Sequence, residues 1–214
     1  YTAAKAGKFL PPQTDIESAI DALLNAKKPL IWSGQGTLMG AASGSLTELA
    51  ELAGIPVMTT MPGKSGFNET HPLSLGATNL TYSGQARKWL DESDVIFAIG
   101  TSMSGTHYGL RPSAGKTLIH CSSDPADINR DYDIDMPLPG DAKLVLEAMI
   151  NIAKVKVSER GHGRRAETER EIKESRESWM NSWQSILTSD EIPINPYRVI
   201  WEMDRVIAHD TAVV

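Results

Sequence analysis

The sequence has little of the residues that usually announce chemistry. Its one cysteine, Cys121, has no partner within the chain, which excludes an internal disulfide and makes a cytoplasmic location the expectation. There is no basic excess: 21 Lys and Arg stand against 27 Asp and Glu, a net charge of −6. Nucleic acid is thereby excluded as the main partner, since backbone binding needs a positive stripe. No apolar run approaches the roughly 18 residues of a membrane span, and no secretory signal pattern follows Tyr1. The five histidines (His71, His107, His120, His162 and His209) show no ligand spacing with each other or with Cys121, which argues against zinc. Neither a repeat of fixed period nor a low-complexity tract is visible. What remains is 214 residues with 41% hydrophobic and 22% charged side chains, enough for a real core without disulfides or metals.

Along the chain, residues 1–13 read as a linker. Thr14 or Asp15 is placed to cap a helix through Lys27, with Ile16, Ala19, Ile20, Leu23 and Leu24 on its apolar face. A buried strand at 29–32 enters the turn Ser33, Gly34, Gln35, Gly36. A helix over 40–53 ends at Gly54, a strand covers 56–60, and a Gly-, Pro- and Asn-rich loop runs to about residue 80. A helix at 83–92, the most apolar strand at 95–100, a strand at 117–121 and a short one near 136–138 follow. Asp141 then caps a helix to Ala153. Near-continuous apolar strands alternating with helices predict an α/β fold over 14–155. It is a doubly wound, Rossmann-like parallel sheet of five or six strands with helices on both faces. Residues 156–194 read as a charged helical connector, solvated and laced with pairs such as Glu169–Lys173, which Trp179 and Trp183 dock onto a neighbour. The closing apolar run Ala212, Val213, Val214 reads as the start of a strand, hence as a piece of a longer protein.

Open parallel sheets bind ligands at the carboxyl ends of their strands. Segments 34–36, 61–65, 100–104 and 122–124 are expected to meet there, bringing hydroxyls and glycines and few charges, which suits hydrogen bonding to a neutral or anionic ligand more than acid–base chemistry. Gly34, Gln35 and Gly36 fit either a nucleotide-contacting turn or a plain strand-to-helix turn, since the spacing through Gly40 is not the usual dinucleotide fingerprint. Asp124, before Pro125, either starts a turn or holds a ribose hydroxyl. His120 and Cys121 point to opposite faces of a strand and cannot act as base and nucleophile, so Cys121 reads as buried and structural. Trp32 reads as core. The acidic residues Asp124, Asp127, Asp131, Asp133 and Asp135 lack the glycine and glutamate of a calcium loop. No catalytic set emerges.

The stretch Gly54, Ile55, Pro56, Val57, Met58, Thr59, Thr60 and, above all, Gly63, Lys64, Phe67, Glu69, Thr70, His71, Pro72 resembles the central domain of acetolactate synthase-like, thiamine diphosphate-dependent enzymes. Residues 94–100, 118–128 and 140–142 fit the same pattern, and the likeness covers about 14–153. The resemblance implies a parent of three α/β domains that makes or breaks a carbon–carbon bond beside the carbonyl of a 2-oxo acid. The parent would use thiamine diphosphate and Mg²⁺ held by the pyrimidine-binding and diphosphate-binding domains, as a homo-oligomer. It further implies that 195–214 opens the diphosphate-binding domain, that this chain carries no catalytic or metal residue, and that it is silent alone. Some members bind FAD or another adenine nucleotide in the central domain, which would place Gly34, Gln35, Gly36, Thr101, Ser102, Ser122, Asp124 and Asp141 around it. Against bound FAD stand Ser102 where the family's arginine is expected, Thr81 and Tyr82 in place of His-Gly, and Ser122 in place of an acid. A free-standing FAD- or ADP-binding module and a purely structural oligomerisation domain are the alternatives.

Overall fold

The computed structural model describes residues 7–78, 80–105, 109–160, 163–208 and 211. The expected strand at Ala212, Val213 and Val214, and His107, His162 and His209, lie outside them. Helix α1 (Gln13–Asn25) buries the five apolar residues whose spacing defines it. Its N-cap is Pro12 with no side-chain bond, so Thr14 and Asp15 lie inside the first turn rather than at the cap. The helix stops short of Lys27 because the amides of Lys27 and Lys28 turn to the Asp94 carboxylate at 2.8 and 2.9 Å.

Strand β1 (Pro29–Ser33) leads through Gly34 into a short helix α2 (Gln35–Met39), and a separate α3 (Ser43–Ala53) follows. The helix expected over 40–53 is α3, which starts three residues late because Ala41 takes a positive φ of 51°, and α2 is an additional short helix in the stretch before it. Gly54 closes α3 in the left-handed conformation, which a side chain would strain. β2 (Val57–Thr60) is followed by a turn, Met61–Gly63, and then by β3 (Ser74–Thr78), an edge strand inside the stretch expected to be loop. Helix α4 (Gly84–Glu92) is capped by Ser83. β4 (Val95–Ile99) is buried at every position, as its unbroken apolar run requires of a central strand. β5 (Thr117–Ser122), β6 (Met136–Pro139) and α5 (Ala142–Arg160) complete the core, and α5 runs well past Ala153.

All six strands are parallel, in the order β3-β2-β1-β4-β5-β6. The fold is the expected Rossmann-like α/β type. Strand order reverses between β1 and β4, which therefore marks the switch point. α5 packs on α1 and α3, and α4 packs on β3. Among the described residues no helix is long and apolar enough to cross a membrane.

The charged helix α6 (Arg165–Leu187) is docked, not free. The Arg164 guanidinium donates to the carbonyls of Leu24 and Ala26 at the end of α1 (2.9 and 2.8 Å). Thr168 Oγ1 donates to the Gly54 carbonyl at 3.1 Å, Arg176 donates to the Ser74 carbonyl at 2.8 Å, and Arg165 pairs with Glu51. The Arg164 and Thr168 bonds satisfy carbonyls that the ends of α1 and α3 leave unpaired. Ile172 is buried in the core, and Trp179 packs so closely on Gly84 that no Cβ would fit there. Along its own surface, Glu169 is engaged by Arg165 and Lys173 by Glu177, in place of the expected Glu169–Lys173 pair. Trp183 lies edge-on to Tyr197 of α7 (Pro196–Val206).

Candidate functional site

At the carboxyl edge of the sheet, over the switch point, lies a cleft of about 400 Å³. The β1–α2 turn contributes Gln35 and Gly36, the end of β2 contributes Thr60 and Met61, and the loop after β4 contributes residues 100–104. Trp32, expected in the core, is half-buried and forms part of the wall. Thr78 and Tyr132 also line it, and sequence reasoning missed both: Thr78 sits in the strand read as loop, and Tyr132 in an irregular segment without periodicity.

Of the residues singled out from sequence, the structure brings Gln35, Gly36, Thr101 and Ser102 to the cleft. Gly34 lies behind it, with Gly63 so close that a Cβ on Gly63 would stand 2.8 Å from the Gly34 carbonyl carbon. Ser122 Oγ donates to Asp127 at 3.0 Å, and Asp124 accepts from the Ala126 amide at 3.0 Å, capping a turn. Asp141 accepts from the amides of Lys143 and Leu144, both at 3.1 Å, and pairs with Lys8, as an N-cap of α5. Burial opposes its ionisation, but those amides and the Lys8 ammonium together hold its carboxyl below the usual range. Thr81 and Tyr82 lie away from the cleft, beside an apolar groove formed with Trp179 and Trp183. Lys64 pairs with Glu69, and Ser65 lines a separate polar groove.

The loop that forms the cleft's second wall is fixed from below. Nε2 of fully buried His120 lies 2.8 Å from the Thr101 carbonyl. Burial depresses the histidine's basicity more than this bond restores it, so the ring is neutral and donates. Arg130 reaches over the same loop to the Ser102 carbonyl (3.2 Å) and Ser104 Oγ, while its other nitrogen meets Asp127 at 2.8 Å. Cys121 faces the opposite way, toward the Gly140 carbonyl, and burial pushes its thiol up to about 12, which removes it as a nucleophile.

None of the described side chains lining the cleft carries a charge. Among the described residues no group of three His, Cys, Asp or Glu could hold a metal ion. The described lining offers hydroxyls, an amide and apolar walls, which can bind and orient a molecule; among the described lining residues there is no carboxylate, imidazole, amine or thiol to act as acid, base or nucleophile.

Comparison with known proteins places this architecture. Residues 16–149 match the family model described as thiamine pyrophosphate enzyme, central domain. A probable acetolactate synthase large subunit of Methanococcus aeolicus is 34% identical over 201 residues, covering 90% of this chain and 33% of the relative. One from Methanocaldococcus jannaschii is 37% identical over 137 residues, 63% of this chain and 23% of the relative. An acetolactate synthase of Mycobacterium bovis is 33% identical over 144 residues, 65% and 23% of the two chains. The chain spans about a third or less of the length of these curated relatives. A parallel sheet with its cleft at the switch point and a match that runs through all six strands agree: the chain belongs to the family of thiamine pyrophosphate enzyme central domains.

Proposed function

We propose that this domain is part of an acetolactate synthase-like enzyme that uses thiamine diphosphate and Mg²⁺ to form or break a carbon–carbon bond beside the carbonyl of a 2-oxo acid. The observation that carries the reading is the 34% identity to an acetolactate synthase large subunit across 90% of this chain. The described residues of this chain do not fit the cofactor: the cleft has no cation for a diphosphate, and no described cluster of carboxylates awaits a metal. Cofactor and metal therefore belong, in this proposal, to pyrimidine-binding and diphosphate-binding domains of the same parent chain, which acts as a cytoplasmic homo-oligomer. Residues 14–155 form the central domain, 1–13 and 156–194 link it to its neighbours, and 195–214 open the diphosphate-binding domain.

The work of this chain is then positional. The six-stranded sheet holds the neighbouring domains apart, and α6, fastened by Arg164, Thr168 and Arg176, sets the direction in which the chain leaves. The test is a pair of assays with pyruvate, thiamine diphosphate and Mg²⁺. The parent chain is expected to form acetolactate and residues 1–214 alone to form none. Product from the fragment, or no turnover of any 2-oxo acid by the parent, overturns the proposal.

A further inference from the structure

We propose that the switch-point cleft takes an uncharged ligand bearing a flat ring, its described lining offering no charge to hold a diphosphate. This goes beyond the reading of the parent's reaction and stands independently of it.

The turn that would cradle phosphates is filled by protein. Gly34 donates its amide to the Ile99 carbonyl at 2.9 Å, and Gly36 donates to the Gly100 carbonyl at 2.7 Å. A Cβ on Gly36 would stand 2.8 Å from the Gly100 Cα, and one on Gly100 would stand 2.5 Å from the Thr37 nitrogen. These glycines thus let two backbone segments meet each other, where a dinucleotide site uses them to let a ligand approach. α2, only five residues long, adds no anion site of its own.

Charge is missing from the described lining as well. The described lining is neutral, and the nearby Arg130 is committed to Ser102, Ser104, Asp127 and Asp131. A diphosphate entering would lose water and gain no counter-charge, a cost that an uncharged molecule avoids. The walls instead suit a ring. Trp32, Leu110 and Tyr132 are apolar or aromatic, and Met39 and Met61, 81% and 42% exposed, stand at the cleft with adaptable thioethers. Gln35, Thr60 and Thr78 supply neutral hydrogen-bonding groups. A volume of about 400 Å³ falls within the range of small-molecule sites.

The experiment compares adenosine with ADP, and riboflavin with FAD, by titration calorimetry on residues 1–214. At least one uncharged member is expected to bind tenfold or more tightly than its phosphorylated counterpart. Met61→Trp, which narrows the cleft, is expected to weaken that binding at least tenfold with an unchanged melting temperature; Tyr132→Ala, judged by the same two readouts, serves if the first variant does not fold. Equal or tighter binding of ADP and FAD overturns the proposal, as does no binding by any of the four at about 1 mM. So does full affinity in a folded variant. Each of these outcomes leaves the acetolactate assay of the parent chain unaffected.

Discussion

The amide of Gly36 donates to the carbonyl of Gly100 at 2.7 Å, joining the turn after β1 to the end of β4 across the switch point. Two central strands that are adjacent in the sheet and far apart in sequence thereby end in one locked unit. The cleft inherits its shape from that lock, because residues 101–104 continue directly from Gly100 and are held further by His120 and Arg130. A site assembled this way is rigid in its backbone and adjustable in its methionines.

Gly100→Ala tests the lock. Gly100 has φ of +60°, and the added methyl meets the Thr37 nitrogen, which is backbone and cannot swing aside. The expected loss is about 2–3 kcal/mol in urea denaturation, from positive-φ strain plus a displaced contact. Gly44→Ala is the control: a Cβ there meets nothing within 4 Å, in the first turn of α3, so stability is expected to hold or rise slightly. Equal effects from the two substitutions would show that the contact carries no weight.

How much of this was legible in the sequence depended on whether burial left an apolar signature. β4, with Val95, Ile96, Phe97, Ala98 and Ile99 all buried, declared itself, and the spacing of Ile16, Ala19, Ile20, Leu23 and Leu24 declared α1. β3 did not, because Ser74, Gly76, Ala77 and Thr78 form an edge strand held by pairing to β2 across a register shift. α6 read as solvated because four of its anchors are hydrogen bonds or an ion pair made by Arg164, Arg165, Thr168 and Arg176, which no hydropathy pattern records. At the cleft, strand ends located Gln35, Gly36, Thr101 and Ser102, but Ser122, Asp124 and Asp141 proved to satisfy local backbone and side-chain groups. Polar residues beside turns serve caps and ligands with the same atoms, so their spacing alone does not separate the two uses.

The anchoring of α6 makes its own prediction. Thr168→Val keeps the shape of a buried side chain and removes the hydroxyl that bonds the Gly54 carbonyl. A loss of about 1–2 kcal/mol is expected, since a buried carbonyl is left without its donor. Amide exchange across the first half of α6 should speed up with it, while exchange in β4 changes only with global stability. Exchange in α6 already at the rate of an unprotected chain in the wild type would mean that the helix is not docked.

Cys121 supplies a chemical probe of the sheet. Its side chain is fully buried, and burial, with a smaller contribution from Asp141, pushes its thiol up to about 12. Almost no thiolate exists at neutral pH, and a reagent in solution cannot reach it. Labelling by an aromatic disulfide is therefore expected to proceed only through unfolding, with a rate that rises steeply with urea. Rapid labelling of the native protein would contradict the packing of β5 between β4 and β6.

His120 couples the stability of the fold to pH just below neutrality. Its ring is fully buried; burial lowers its basicity, the bond to the Thr101 carbonyl partly offsets this, and Nδ1 has no partner among the described residues. The native state therefore holds the ring neutral at pH values where the unfolded chain, with a value near 6.5, has begun to take up a proton. Because the folded value is the lower one, this histidine's contribution is complete above about pH 6.5 and is lost as pH falls from there through the folded value. His120→Gln removes the titration while keeping a side-chain amide able to donate to Thr101. Wild-type stability is expected to fall between pH 7 and pH 5 by more than that of His120→Gln, whatever their difference at pH 7. Parallel pH profiles for the two proteins would show that the acid sensitivity arises elsewhere, and would free the loop at Thr101 from control by this ring.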